Sequence, residues 1–192
     1  VPVTADLEAG YGDTAEGVGG TIAQIAGLGA VGANIEDAVD GILLPVDEAV
    51  DRIAAARAAA PAGTFVLNAR TDAYFAGTDG DPFTETVERA RRYVAAGADA
   101  VFVPGVRDED VIRRLVGAIP APLNIVSGLT SPVIDVPTLF SLGVKRVSVG
   151  GSLARIALSA VERAGAELLA TGTLGMLEES MAFADIQGRF RR

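Results

Sequence analysis

The stretch VPVTADLEAGYG, residues 1–12, decides how the rest of the chain is read. Val1, Val3 and Ala5 alternate with Pro2, Thr4 and Asp6, the two-residue period of a short strand. The strand ends in acid. Asp6 and Glu8 stand two apart, so both carboxylates leave one side of an extended backbone. Gly10 and Gly12 then break the strand and allow the backbone to approach a ligand closely. Two carboxylates at a strand end, followed by a glycine turn, suit a hard divalent cation that takes oxygen ligands; two solvated acids in a loop is the plain alternative.

Outward from this stretch, the pattern repeats. With Pro2–Asp6, the runs Val31–Ile35, Phe65–Ala69, Ala100–Pro104, Leu123–Val126 and Arg146–Val149 read as strands. Helical spacing fills the gaps. Ala15–Leu28 puts Val18, Ile22, Ile25 and Ala26 on one face, and Val46–Ala59 does the same with Ala49, Val50, Ile53 and Ala56. Pro82–Ala96 opens with the cap pair Asp81-Pro82, and Glu109–Ala118 and Val136–Leu142 are shorter. Gly29, Gly97 and Gly143 each follow a helix and precede a strand, where a helix-ending glycine belongs. Strand–helix alternation at this spacing implies parallel strands joined by right-handed crossovers.

The polar residues at strand ends separate a barrel from an open sheet. Asp6 and Glu8, Glu36 and Asp37, Arg70 and Asp72, and Asn124 and Ser127 follow four different strands. A doubly wound sheet gathers its site at one switch point, whereas a (β/α)8 barrel draws site residues from many strand ends. The expectation is therefore a (β/α)8 TIM barrel. Such barrels typically need about 250 residues. With six strands visible, the first two βα units are expected to be absent from this chain. Residues 1–192 are expected to form a single partial barrel domain. Ser152–Ala170 and, after Gly172-Thr173, Leu174–Phe190 make one helix more than a barrel requires. Residues 152–192 are thus expected to serve oligomer packing, as a homodimer or homotetramer. Ala76–Asp81 and Ser127–Pro132 read as loops over the catalytic end.

Composition removes several chemistries. There is no histidine and no cysteine, which excludes a Ser-His-Asp triad, His-ligated zinc and a thiol nucleophile. The one lysine, Lys145, enters a strand at the end of a barrel where residues serve stability. The net charge of −9, with no basic cluster longer than Arg191-Arg192, argues against nucleic acid and anionic membranes. No apolar run approaches the ~20 residues of a membrane span, no signal peptide opens the chain, and a cytoplasmic location is expected. The chemistry left belongs to Asp, Glu, Arg, Tyr, Ser, Asn and a metal. Glu36, at the end of the second strand, is placed to face Asp6 and Glu8 across a barrel mouth. Arg70, one strand on, offers a planar fork to a substrate carboxylate or phosphonate, or else neutralises these acids. Asp37 reads as a cap for the following turn, Asp72 as a partner that orients Arg70, and Tyr74 and Tyr93 as packing residues.

The stretches VTADLEAGYG, GANIEDA, LNARTDAY, AVFVPG, PLNIVSG and RVSVGG, in this order over nearly the whole chain, resemble the isocitrate lyase/phosphoenolpyruvate mutase superfamily. The resemblance implies that Asp6, Glu8 and Glu36 hold Mg²⁺ (or Mn²⁺), directly or through water. It implies that Arg70 grips the substrate's acid group, that Asn124 binds substrate, and that Tyr11 and Gly12 line the pocket, Tyr11 being the nearest candidate acid. The departures are specific. Where the superfamily's lyases carry a Lys-Arg-Cys-Gly-His loop, this chain reads AVDGILLPVDEA, residues 38–49, without Cys, Lys or His. The phosphonomutase loop is missing too, and Gly105 stands where the lyases place a Glu. The expected activity is Mg²⁺-dependent C–C cleavage of a small α-keto or 2-hydroxy carboxylate through a metal-stabilised enolate, by oxaloacetate-like decarboxylation or retro-aldol cleavage. Phosphonopyruvate-type P–C chemistry and a degenerate, non-catalytic barrel are the alternatives.

Overall fold

Helix starts are set by short polar side chains. Thr14 Oγ1 accepts a hydrogen bond from the Gly17 amide, and the Asp81, Asp108 and Asp135 carboxylates cap their helices in the same way. Helix ends are set by Gly29, Gly97 and Gly143, with φ of +93°, +109° and +99°. The computed structural model describes residues 1–128 and 133–190; the Leu129–Pro132 part of the expected loop and the Arg191-Arg192 pair lie outside the described residues.

The order is β1 (Thr4–Asp6), α1 (Ala15–Gly27), β2 (Gly32–Glu36), β3 (Ala38–Val39), β4 (Ile42–Leu43), α2 (Val46–Ala59), β5 (Val66–Arg70), α3 (Ala73–Ala76), α4 (Pro82–Ala95), β6 (Ala100–Phe102), α5 (Glu109–Ala118), β7 (Leu123–Val126), α6 (Val136–Ser141), β8 (Arg146–Ser148), α7 (Ser152–Thr171), a 3-10 turn (Gly175–Glu179) and α8 (Phe183–Phe190). The six expected strands pair in parallel in the order β1-β2-β5-β6-β7-β8. That order never reverses, so the described residues form no doubly wound switch point. The sheet curls into a half-barrel, six strands of the (β/α)8 pattern.

Register sorts the sheet into two faces. Ala5, Ala33 and Leu67 pair in one row, and Ile35, Ala69, Val101 and Leu123 in another. These side chains meet Val18 and Ile22 of α1, Ala49, Ile53 and Ala56 of α2, and, farther along, Ile112 and Leu115 of α5 and Leu139 of α6. The alternate residues pair as Asp6–Asn34–Asn68–Ala100 and as Glu36–Arg70–Phe102–Asn124–Arg146. One face is thus an apolar core under the helices, and the other is largely polar.

Two short elements escaped the sequence reading. Asp40 and Gly41, both at positive φ (51° and 77°), turn the two-residue hairpin β3–β4. The Leu44 amide closes it on the Asp37 carbonyl at 2.8 Å. Directly after Asp72 comes the single-turn helix α3. The expected helix Leu174–Phe190 is instead a 3-10 turn and a separate α8. The cause is local: Glu167 Oε1 accepts from Thr173 Oγ1 at 2.6 Å and the Gly175 amide at 3.1 Å, and Ser180 is extended. The chain divides into two compact units, Val1–Gly150 and Gly151–Arg192. In the second, α7 and α8 bury no residue, and Leu153, Ile156, Val161, Phe183 and Phe190 are exposed.

Candidate active site

The site lies where the polar face meets the C-terminal ends of β1, β2 and β5. The Leu7 amide bonds the Asn34 carbonyl at 3.2 Å, and the Glu36 amide bonds the Glu8 carbonyl at 2.8 Å, so the turn after β1 is laced to β2. Within it the Gly10 amide closes on the Leu7 carbonyl at 2.7 Å. Glu8 and Tyr11 take left-handed backbone angles (φ 49° and 52°). For residues with a Cβ this costs about 1–2 kcal/mol each. Gly12 sits against the first turn of α1, where a Cβ would come within 2.5 Å of the Val18 amide nitrogen. Packing alone therefore demands glycine at that position. The carboxylates of Asp6 and Glu8 and the ring of Tyr11 remain exposed.

On the neighbouring strands each nitrogen of the Arg70 guanidinium meets a carboxylate oxygen. Its Nη1 meets Glu36 Oε2 at 2.7 Å, while Nε and Nη2 bind Asp72 Oδ1 and Oδ2 at 2.7 and 2.9 Å. Its guanidinium lies 5.6 Å from the centre of the Phe102 ring. The fork is thus closed on Asp72, which orients Arg70 as expected, and one nitrogen also neutralises Glu36. Asp37 proves to be more than a turn cap. Buried at 2% exposure, it accepts the Asp72 amide at 2.8 Å on one oxygen. The other oxygen takes Tyr93 Oη at 2.6 Å and Arg89 Nη1 at 3.2 Å. Tyr93, expected only to pack, is buried and carries this polar tie as well. Tyr74 packs on the second core cluster, and Lys145 lies exposed just before β8. Arg52 and Arg89, both buried, were not singled out by sequence reasoning. Besides one glutamate each and, for Arg89, Tyr93 on their own helix, their partners lie about 40 to 52 positions away in the chain, beyond any local pattern.

Acid outweighs base here. Burial pushes the Glu36 carboxyl up; Arg70 pulls it back, and the charges of Asp72, Asp6 and Glu8 push it further up. Asp72 is likewise raised, first by burial, against the hydrogen bonds and charge of Arg70, with Asp37 and Asp6 adding to the rise. Burial works against the charge of Arg70, but its hydrogen bonds to Asp72 and the charges of Asp72, Glu36 and Asp6 prevail and raise it. The Tyr11 phenol is raised chiefly by the charge of Glu8, so at neutral pH it is protonated, a hydrogen-bond donor and no base.

Every donor is a carboxylate, amide or hydroxyl oxygen, and negative charge is in surplus. Both features fit a hard divalent cation. Among the described residues no three acidic side chains form a finished cation cage. Mg²⁺ needs none, since it binds through one or two carboxylates and keeps several waters. Deeper on the same face, Asn124 is 1% exposed; its Oδ1 accepts from Ser148 Oγ at 3.4 Å and its Nδ2 has no partner among the described residues. Asn68 donates to Asn34 Oδ1 at 2.7 Å, and its own Oδ1 has no partner among the described residues. Buried polar atoms without partners are rare and point to a ligand or water.

The chain resembles known proteins over nearly its whole length. A family model described as phosphoenolpyruvate phosphomutase matches residues 1–169. A crystal structure from Burkholderia cenocepacia, described as a lyase or mutase, superposes with a TM-score of 0.93 at 42% identity, covering 100% of this chain and 70% of that one. Phosphonopyruvate hydrolase, in complex with oxalate and Mg²⁺, superposes with a TM-score of 0.82 at 28% identity, covering 98% of this chain and 69% of that one. Oxaloacetate decarboxylase of Chromohalobacter salexigens is 36% identical over 165 residues, 82% of this chain and 55% of the decarboxylase. The strand-end acids, the arginine between them and this likeness agree: the chain belongs to the phosphoenolpyruvate phosphomutase family, enzymes of the isocitrate lyase/phosphoenolpyruvate mutase superfamily.

Proposed function

We propose that the protein is a Mg²⁺-dependent carbon–carbon lyase that decarboxylates a small α-keto dicarboxylate of the oxaloacetate type. The observation that carries this is the gathering on one sheet face of surplus carboxylates, Arg70 and a buried amide donor that has no partner among the described residues. Asp6, Glu8 and Glu36 would hold the cation, in part through water. When bound, the cation supplies positive charge toward which the electrons of the breaking bond move. Arg70, aimed by Asp72, turns its remaining N–H groups to a substrate carboxylate, and Asn124 Nδ2 donates a further hydrogen bond. The C–C bond breaks, carbon dioxide leaves, and the enolate carbon takes a proton from water. Tyr11, protonated and exposed, stands at the mouth as a donor.

The hairpin β3–β4 supports decarboxylation over retro-aldol cleavage. Residues 38–49 offer no Cys, Lys or His to hand a proton to the enolate that retro-aldol cleavage leaves, whereas the enolate of an oxaloacetate-type substrate takes its proton from water. We also propose that the exposed apolar faces of α7 and α8 pack in a homo-oligomer; a monomeric mass by light scattering would refute this. The activity is tested with isocitrate, methylisocitrate, dimethylmalate, phosphonopyruvate and oxaloacetate, each with Mg²⁺. Turnover of oxaloacetate is expected, with Arg70→Lys lowering kcat/KM by roughly 10²-fold as the planar fork is lost. Turnover of phosphonopyruvate alone would point to P–C chemistry instead. Efficient isocitrate cleavage would show that the hairpin is no obstacle, and inactivity on all five would indicate a non-catalytic barrel.

A further inference from the structure

We propose that Arg52 is the positioning residue that holds the turn Glu8–Asp13 in the shape the site requires. Arg52 lies on α2 among residues that pack on the sheet, and its side chain is only 7% exposed. Burying a guanidinium is costly unless every donor is used. Here every nitrogen is used, and three of the bonds go to one turn. Nη1 bonds the carbonyls of Ala9 and Gly12 at 3.0 and 2.9 Å, and Nη2 bonds the carbonyl of Asp13 at 3.3 Å. The remaining reach, from Nε and Nη2, goes to Glu48 one helical turn away.

Those three carbonyls lie within the strained segment, at Ala9, and directly after it, at Gly12 and Asp13. Glu8 and Tyr11 are in left-handed conformation, as is Gly10 between them at φ 100°. A turn with two such residues reverts to relaxed conformations unless its surroundings over-determine it. The Leu7–Gly10 and Glu8–Glu36 hydrogen bonds fix the β1 side of the turn, and Arg52 fixes the far side. A planar fork spans three carbonyls at once, which a lysine ammonium on a flexible stem does not. The consequence is directional: with the far side loose, the Glu8 carboxylate and Tyr11 ring no longer share one orientation toward Asp6 and Glu36. This second step rests on the cation site proposed above; the first rests on the hydrogen bonds alone.

The test uses the full chain with Arg52→Lys, Arg52→Gln and Glu48→Gln. Hydrogen exchange is followed at the amides of Gly10 and Glu36, with the helices α4 and α5 as internal reference, and Mn²⁺ affinity is titrated separately. Both Arg52 variants are expected to speed exchange at Gly10 and Glu36 about tenfold or more while α4 and α5 hold. Mn²⁺ binding should weaken by roughly 10–100-fold. Glu48→Gln, which leaves the three carbonyl contacts intact, should change neither. Unchanged exchange at Gly10 and Glu36 in the Arg52 variants would overturn the proposal, whether or not the protein binds Mn²⁺. Loosened exchange with undiminished Mn²⁺ affinity would overturn the positioning role. Absence of Mn²⁺ binding in the unaltered protein would instead sink the cation site, leaving exchange to judge the clamp. Should the Arg52 variants fail to fold, the unaltered protein decides: Gly10 and Glu36 amides exchanging as fast as those of residues 77–80 would overturn it.

Discussion

On one face of the sheet, Ala33, Ile35, Leu67, Ala69, Val101, Leu123 and Ile125 are buried among helix side chains. On the other, one residue along each strand, stand Asn34, Glu36, Asn68, Arg70 and Asn124. The six strands of this sheet are three to five residues long and divide their side chains between the two faces; only on β6 are the residues of the second face, Ala100 and Phe102, apolar as well. The apolar face is interchangeable in kind, since any well-packed aliphatic serves. The polar face is not: its buried amides keep atoms without partners, and its carboxylates are pushed up by burial and by one another. A shift of register by one residue would exchange the two sets, which is why the alternation must be kept on every strand.

The largest effect expected from breaking this division is on the apolar side. Leu67→Ala, at 1% exposure between α1, α2 and the sheet, should lower stability by about 2–5 kcal/mol. Chemical denaturation with an unchanged slope measures it. A loss under about 1 kcal/mol would mean that the face is not packed as described.

A smaller effect, of opposite sign, is expected on the polar side. The Glu36 carboxyl is raised in the folded protein, so between its ordinary and its raised value the folded state holds more proton than the unfolded one. Stability then falls as pH rises through that window, and this contribution is fully restored only below the ordinary carboxylate range. Glu36→Gln should remove that component and flatten the curve on the acid side of neutrality. An unaltered pH profile in the variant would place the strain elsewhere, with Asp72 the next group to examine.

Much of this was legible in the chain. Period-two runs, helix spacing and the caps at Asp81 and Gly97 located the strands and helices of residues 1–150 within a few residues, and acids at strand ends drew attention to Asp6, Glu8 and Glu36, which lie at or just after the ends of β1 and β2. The likeness to a known family rested on the same segments. Other features were present but went unread: Asp40-Gly41 is a hairpin signal in its own right. The rest was not local. Tyr93 meets Asp37 from 56 residues away, and Arg52 reaches Gly12 from 40. On their helices both looked like ordinary members of an amphipathic pattern, and only the parallel stacking of successive βα units brings them to the site. That Arg70 spends its fork on Asp72 is likewise a matter of side-chain geometry, which the motif NARTDAY leaves open.

The central claim is that the acidic end of the polar face binds a divalent cation together with a small dicarboxylate. Calorimetric titration of Mg²⁺ in the presence of oxalate, on the unaltered protein and on Asp6→Ala, tests it most directly. Saturable binding is expected in the unaltered protein, and its loss, by at least roughly tenfold in affinity, in Asp6→Ala. Equal affinity in the two proteins, or no binding in either, would contradict it.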